Sequence, residues 1–135
     1  MQYITGLHAL NLPCNLDTCG DWHQSAIQWE HPKMSESDGS LYGEYGLEPG
    51  HCIPGHEGRF VVANTLRALL DLLYEGNFSL AQGANEDFIC NDKYDIEFFN
   101  QVYLMRDFCK WSEIDAFMSK EYRTKWLKFK KMKGD

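Results

Sequence analysis

The chain has 135 residues, of which 44% are hydrophobic and 14% aromatic, and its net charge is −7. This length predicts one domain, residues 1–135, that buries roughly two thirds of the unfolded chain's surface, and the composition excludes a disordered or fibrous protein. The first residues lack the basic and apolar regions of a signal peptide, and no apolar run approaches the roughly 18 residues of a membrane span. A soluble, cytoplasmic protein is therefore expected.

Residues 1–58 are predicted to form an irregular, strand-rich half. Residues 2–12 begin with an apolar, β-prone run that Gly6 interrupts, and residues 25–29 alternate between polar and apolar. These two segments predict short strands that form a small antiparallel sheet or hairpin. Residues 32–58 are rich in glycine and are predicted to be a long loop without regular structure. A loop of that length inside a compact domain is usually functional or tied down by other contacts.

Residues 59–135 are predicted to form a helical half. Apolar residues recur with the 3.6-residue period in 59–75, before a capping Gly76, and again in 94–108, behind a cap at Asn91 or Asp92. A third periodic stretch runs from Ser112 to Phe129. The predicted fold class is therefore α+β, with a small N-terminal sheet packed by about three C-terminal helices.

The charge is unevenly distributed along the chain. Residues 119–135 carry seven basic and two acidic side chains, a balance of +5, so the first 118 residues carry −12. An acidic body repels nucleic acid and favours basic partners. Contact with nucleic acid is expected only through the basic C-terminal helix, whose alternative interpretation is a solvated face.

All five histidines lie in the first 56 residues, with three of the five cysteines among them. The first cluster is His8, Cys14, Cys19 and His23, the residue types that hold zinc in tetrahedral sites. Its spacing differs from that of familiar zinc fingers, where paired ligands stand two to four residues apart. The alternative is that the cysteines are buried small hydrophobes and the histidines satisfy backbone groups.

The second cluster occupies residues 51–57, just before the long helix. Pro54 and Gly55, with the flanking Gly50 and Gly58, predict a fixed turn that brings His51, His56 and Glu57 together as a metal or catalytic loop. An ordinary turn, with Glu57 favoured by the helix dipole, is the alternative. The remaining histidine, His31, belongs to neither cluster.

Nucleophilic catalysis requires a thiolate or alkoxide, a base within reach and a group that orients the base. The residues that meet this description are Cys19 or Cys52 as nucleophile, His23 or His56 as base, and Asp21 or Glu57 as orienting group. No local signature of a cysteine hydrolase surrounds either thiol. An odd number of cysteines without a signal peptide also argues against a disulfide framework, so the thiols are expected to be reduced.

The function favoured by these observations is that of a small acidic interaction protein. An inhibitor, an antitoxin-like protein or a regulatory partner of a larger basic protein would each fit, because acidic surfaces with aromatic anchors attract and hold basic partners. The turn with Asp21, Trp22 and His23 adds carboxylate and indole groups that suit a basic peptide or a planar ligand. The alternative is a metal-dependent or cysteine/histidine enzyme with its site in the N-terminal half.

Overall fold

A four-stranded mixed sheet forms one layer of the protein, in a computed structural model that describes residues 1–135. Its strands lie in the order β2-β1-β4-β3 and are β1 (Gln2–Ile4), β2 (Met34–Glu36), β3 (Leu47–His51) and β4 (Phe60–Ala63). The pairs β1–β2 and β3–β4 are antiparallel and β1–β4 is parallel, so the sheet is mixed and not wholly antiparallel as predicted. Helices pack on the sheet, so the α+β class is confirmed.

The two predicted N-terminal strands are only partly present. The first ends at Ile4, because helix α1 (Gly6–Leu10) begins two residues later. The second, at residues 25–29, is wrong: Gln24–Ala26 form a single 3₁₀ turn. The indole N–H of Trp29 donates to the carbonyl oxygen of Gln24 at 3.0 Å, a local contact that holds this segment in a turn.

The glycine-rich stretch 32–58 is not without regular structure, because it contains β2 and β3. Both strands lie at the edges of the sheet, where backbone hydrogen bonding to an inner strand holds them although they have no regular apolar alternation. One glycine is required by packing. A Cβ atom on Gly46 would lie 2.7 Å from Cβ of Arg67 and 2.9 Å from Oδ1 of Asn64, so only glycine lets this loop approach the next helix.

The helix predicted at 59–75 is shorter at its start, because its first residues form β4. Helix α2 (Thr65–Glu75) begins behind Asn64, whose side chain accepts the backbone N–H of Arg67 at 2.9 Å. It ends at Gly76, which adopts the left-handed conformation predicted for a C-cap, with φ +83°.

After α2 come two short helical segments, α3 (Phe78–Ala81) and a π-helical turn (Ala84–Ile89). The last three helices are α4 (Asp95–Tyr103), α5 (Trp111–Tyr122) and α6 (Thr124–Met132). The helix predicted from Ser112 to Phe129 is therefore two helices, because the backbone breaks at Arg123. None of the helices combines the length and the apolar character that crossing a bilayer requires.

The core is one cluster of 28 buried apolar residues that joins the sheet to the helices. Its aromatic centre lies between α4, α5 and α6, where the ring of Phe99 is in edge contact with Tyr122, Trp126 and Phe129. The indole of Trp126 is fully buried and its N–H donates to Asp115 at 2.7 Å. These ring contacts hold α6 against α4 and α5.

Replacing Phe99 with alanine should lower the free energy of unfolding by about 3–5 kcal/mol, because the cavity left between three rigid rings cannot close. Urea denaturation followed by tryptophan fluorescence measures the change. Ile96→Ala is the matched control on the same helix, since Ile96 is 58% exposed, and its effect should stay within about 0.5 kcal/mol. Equal losses in the two variants would show that α4 does not pack as described.

Candidate functional site

The four residues of the predicted zinc set do not surround one point. His8 is used by the backbone at both ring nitrogens, with Nε2 2.8 Å from the Gln28 carbonyl oxygen and Nδ1 3.1 Å from the Lys33 amide nitrogen. Cys14 Sγ lies 3.5 Å from the hydroxyl of Thr65. No three His, Cys, Asp or Glu side chains are grouped so that they could hold a metal ion.

Cys19 is not free in the structure, because it forms a disulfide with Cys90, 71 residues away. The prediction that every thiol is reduced is therefore wrong for this pair. An odd number of cysteines does not prevent one pair from bonding, and nothing in the local sequence indicates that these two segments meet. The disulfide leaves Cys19 neither a zinc ligand nor a thiolate nucleophile in this state, while Cys14, Cys52 and Cys109 are free.

The two predicted clusters approach each other, but through contacts that support the fold. His51 Nε2 lies 2.9 Å from Glu48, whose two carboxylate oxygens accept the backbone N–H of Asn15 at 3.1 and 2.9 Å. His56 Nε2 lies 2.5 Å from the carbonyl oxygen of Trp29, whose ring packs on the edge of His8. Neither contact includes His23.

The other members of the second cluster are not engaged. Cys52 and Glu57 are exposed, and neither side chain forms a hydrogen bond or an ion pair within the chain. His31 bonds to the side chain of Gln28 through its backbone only, and its ring is exposed. The turn 51–57 therefore does not gather its side chains around a common point.

A rigid turn does present Asp21, Trp22 and His23, as the sequence suggests. His23 Nδ1 lies 2.7 Å from Asp21 Oδ1, and the imidazole is 72% exposed. Buried Asn11 holds both ends of the turn, because its amide donates to Asp21 at 3.1 Å and its oxygen accepts the backbone N–H of His23 at 2.5 Å. Trp22 between them has φ +60° and is 59% exposed.

A second group of residues, which is not among the predicted sites, lies around Arg67 on α2. The guanidinium has no exposed surface, and its five N–H groups make five hydrogen bonds. The acceptors are Asp71 Oδ1 at 3.0 Å, the carbonyls of Gly43 at 2.8 Å and Tyr45 at 2.6 Å, and the hydroxyls of Tyr3 at 3.0 Å and Ser40 at 3.4 Å. Arg67 therefore has no donor left for a ligand.

The carboxylate of Asp71 completes this network. Its second oxygen accepts the hydroxyls of Tyr3 and Thr5, each at 2.6 Å. Burial, together with the hydrogen bond to Asp71, raises the pKa of Tyr3 to about 12. The rings of Tyr3 and Tyr42 also lie 4.9 and 5.6 Å from the Arg67 guanidinium carbon, so the cation is held between two aromatic faces.

Above this network lies a cleft of about 270 Å³, which we call the acidic cleft. The carboxylates that line it are those of Glu36, Asp38, Asp71 and Glu75, and Arg67 is the lining residue that carries a positive charge. Tyr3, Tyr42 and Tyr74 contribute rings to the same cleft, and Tyr74 is 48% exposed. Since Arg67 and Asp71 satisfy each other, the other three carboxylates set the charge of the opening.

An ammonium group already lies at the rim of the acidic cleft. The N-terminal amine of Met1 forms an ion pair with Glu36 and lies 3.4 Å from Asp38. The hydrogen bond between the Met1 amine and Glu36 raises the pKa of the amine and lowers the pKa of the Glu36 carboxyl. Lys33 lies 3.6 Å from Glu75 on another part of the rim. The carboxylates of Glu36, Asp38 and Glu75 therefore already have ammonium groups within ion-pair distance.

One signal in the sequence points to this network. Arg67 and Asp71 are the charged residues in the otherwise apolar stretch Leu66 to Leu73, and they stand four residues apart on one helix face. That spacing indicates an ion pair inside the apolar surface of α2. The partners from β1 and from the loop 40–45 follow only from the tertiary fold.

Comparisons with family models, with curated protein sequences and with solved structures found no match to this chain.

Removing the disulfide with Cys19→Ser and Cys90→Ser together should lower the free energy of unfolding by about 2–4 kcal/mol, because the unfolded chain loses a long closed loop. Urea denaturation without reductant measures the difference. The control is Cys52→Ser with Cys109→Ser, since both cysteines are exposed and free. The assignment of the disulfide fails if the first variant is as stable as the wild-type protein.

Proposed function

We propose that this chain is a binding protein for a basic partner, and that the acidic cleft takes a lysine or arginine side chain of that partner. An inhibitor, an antitoxin-like protein and a regulatory subunit are roles that such binding would serve. The observation that carries the proposal is the full internal use of Arg67, which leaves the carboxylates at the cleft opening in excess.

The charge of the cleft supports a cationic ligand. Glu36, Asp38 and Glu75 surround an opening in which the one lining cation, Arg67, makes five internal hydrogen bonds. The contacts of Met1 and Lys33 with the rim are exposed, so an incoming cation can replace them at little cost. A guanidinium can bond two carboxylate oxygens at once, which favours arginine over lysine.

The aromatic residues support the same ligand. A cation within about 6 Å of a tyrosine ring is attracted by the negative face of the ring. Arg67 shows this arrangement with Tyr3 and Tyr42 on the inner side of the cleft. Tyr74 lies on the cleft wall with about half of its surface exposed, so its ring is accessible to a ligand. Tyrosine is one of the residue types enriched at the positions that dominate binding energy in interfaces.

The cellular compartment of the protein is a separate question from the binding proposed for the acidic cleft. The sequence predicts a cytoplasmic protein. The Cys19–Cys90 disulfide favours an oxidising compartment instead, because cytosolic thiols are kept reduced. The proposed binding depends on neither location, since the cleft contains no cysteine.

A blocked tetra-arginine peptide is the probe for this proposal, with binding measured by isothermal titration calorimetry at low ionic strength. Asp38→Asn and Glu36→Gln should each weaken binding about threefold to fivefold, the effect of losing one exposed ion pair of up to about 1 kcal/mol. Glu57→Gln is the matched control, because it removes the same charge from an exposed residue outside the cleft. Equal weakening by Glu57→Gln would show that only net charge matters.

Acetylation of the N-terminal amine gives a second test of the same site. The acetyl group removes the positive charge that Met1 places between Glu36 and Asp38. The acetylated protein should therefore bind the peptide more tightly than the unmodified protein. An unchanged affinity would place the peptide away from this rim.

Acid–base chemistry at His23 is the second candidate function, because Asp21 holds its imidazole at 2.7 Å and leaves most of the ring exposed. Such a dyad would hydrolyse an activated ester, and p-nitrophenyl acetate is a suitable probe. If the dyad is active, His23→Gln should lower the rate at least tenfold, whereas His31→Gln, at an exposed histidine without a carboxylate partner, should not. Equal rates in both variants would exclude this candidate.

A further inference from the structure

The helical half contains a second and larger groove, of about 650 Å³, between α3 and α5. Its apolar floor is formed by Phe78 and Phe117, whose ring centroids lie 5.9 Å apart, with Ala116 beside them. The volume lies within the range of about 300–1,000 Å³ that is typical of small-molecule sites. The groove is separate from the acidic cleft, since the two share no residue.

Three of the four charged residues that line this groove lie at one end: Lys120, Glu121 and Arg123. The carboxylate of Glu121 keeps its negative charge but is held by the backbone, because it accepts the N–H groups of Gly83 at 3.1 Å and Asn85 at 3.0 Å. Lys120 and Arg123 line the same end and take part in no hydrogen bond or ion pair through their side chains. That end therefore has two cations without internal partners.

The other charged residue of the groove lies far from this end. Glu113 is in the first turn of α5, seven residues before Lys120. At 1.5 Å per residue, the two positions are about 10 Å apart along the helix. Glu113 is therefore too distant to offset the other end, where the two cations Lys120 and Arg123 exceed the one carboxylate of Glu121, and a ligand that is anionic at that end would fit this distribution.

The backbone at Arg123 is an independent observation. This residue joins α5 to α6 with φ +54° and ψ −124°. Glycine adopts this backbone conformation freely, whereas residues with a Cβ atom rarely adopt it. A strained residue that is not glycine, at the edge of a groove, indicates that its side chain is needed there. No contact within the chain accounts for that need, because the guanidinium is exposed and unpaired.

We propose that the groove between α3 and α5 binds an amphiphilic organic anion. The apolar body of the ligand lies on Phe78 and Phe117, and its anionic group lies beside Lys120 and Arg123. Binding is non-covalent and does not depend on the basic partner proposed for the acidic cleft.

The test uses two fluorescent probes that share most of their apolar body. 8-Anilinonaphthalene-1-sulfonate carries an anionic group, and N-phenyl-1-naphthylamine lacks it. The folded protein should bind the sulfonate at one site and should bind the neutral probe at least fivefold more weakly. Equal affinity for the two probes would overturn the proposal, because it would show that Lys120 and Arg123 contribute nothing.

The variants locate that binding within the molecule. Lys120→Gln and Arg123→Gln should each weaken binding of the sulfonate at least fivefold. Lys128→Gln is the matched control, because Lys128 is an exposed lysine of the same basic segment that does not line the groove. If Lys128→Gln weakens binding equally, the probe is attracted by general positive charge and the proposal is wrong.

Arg123→Gly separates a binding role from a structural one. Glycine removes the side chain and relieves the backbone strain, so this variant should lose probe affinity while its thermal unfolding midpoint rises or stays unchanged. Circular dichroism measures that midpoint and also confirms that each variant is folded before the probe is added. A lower midpoint with unchanged probe affinity would show that Arg123 supports the fold and binds nothing.

Discussion

The buried guanidinium of Arg67 is the interaction on which the rest of the N-terminal structure depends. A charge without exposed surface costs several kcal/mol unless its hydrogen-bonding groups are satisfied. Here the five donors are satisfied by Asp71 on the same helix, by Tyr3 on β1 and by the loop 40–45. One side chain thus joins the sheet, the central helix and a glycine-rich loop, and removing it would leave acceptors from all three unpaired.

This internal use of Arg67 also determines the chemistry of the surface above it. An arginine with free donors would favour anions in the cleft, whereas a fully bonded arginine leaves the carboxylates of Glu36, Asp38 and Glu75 as the groups that would meet the proposed ligand. The opposite character is found in the helical half, where Lys120 and Arg123 have no internal partners. The two proposed sites are therefore opposite in charge, and each has aromatic rings beside its charged groups.

The sequence predicted the parts of the fold that depend on local periodicity. The apolar stripe and Gly76 predicted α2, and the α+β class followed from the contrast between the two halves. The edge strands β2 and β3 were missed, because edge strands are held by backbone hydrogen bonds and need no apolar alternation. The Cys19–Cys90 disulfide and the partners of Arg67 are long-range contacts, for which a single sequence carries no local signal. The histidine clusters do not form one site, because the contacts of the His8, His51 and His56 rings mostly support loops.

The central claim is that Arg67 serves the fold and that the rim carboxylates serve the ligand. Nuclear magnetic resonance tests it directly, by following the Nε–H group of Arg67 and the side-chain carboxyl carbons of Glu36 and Asp38 during titration with the tetra-arginine peptide. The account predicts a slowly exchanging Arg67 Nε–H whose resonance does not move, while both carboxyl resonances shift. Rapid exchange at Arg67, together with a shift of its resonance on addition of sulfate, would contradict the account and make the cleft an anion site.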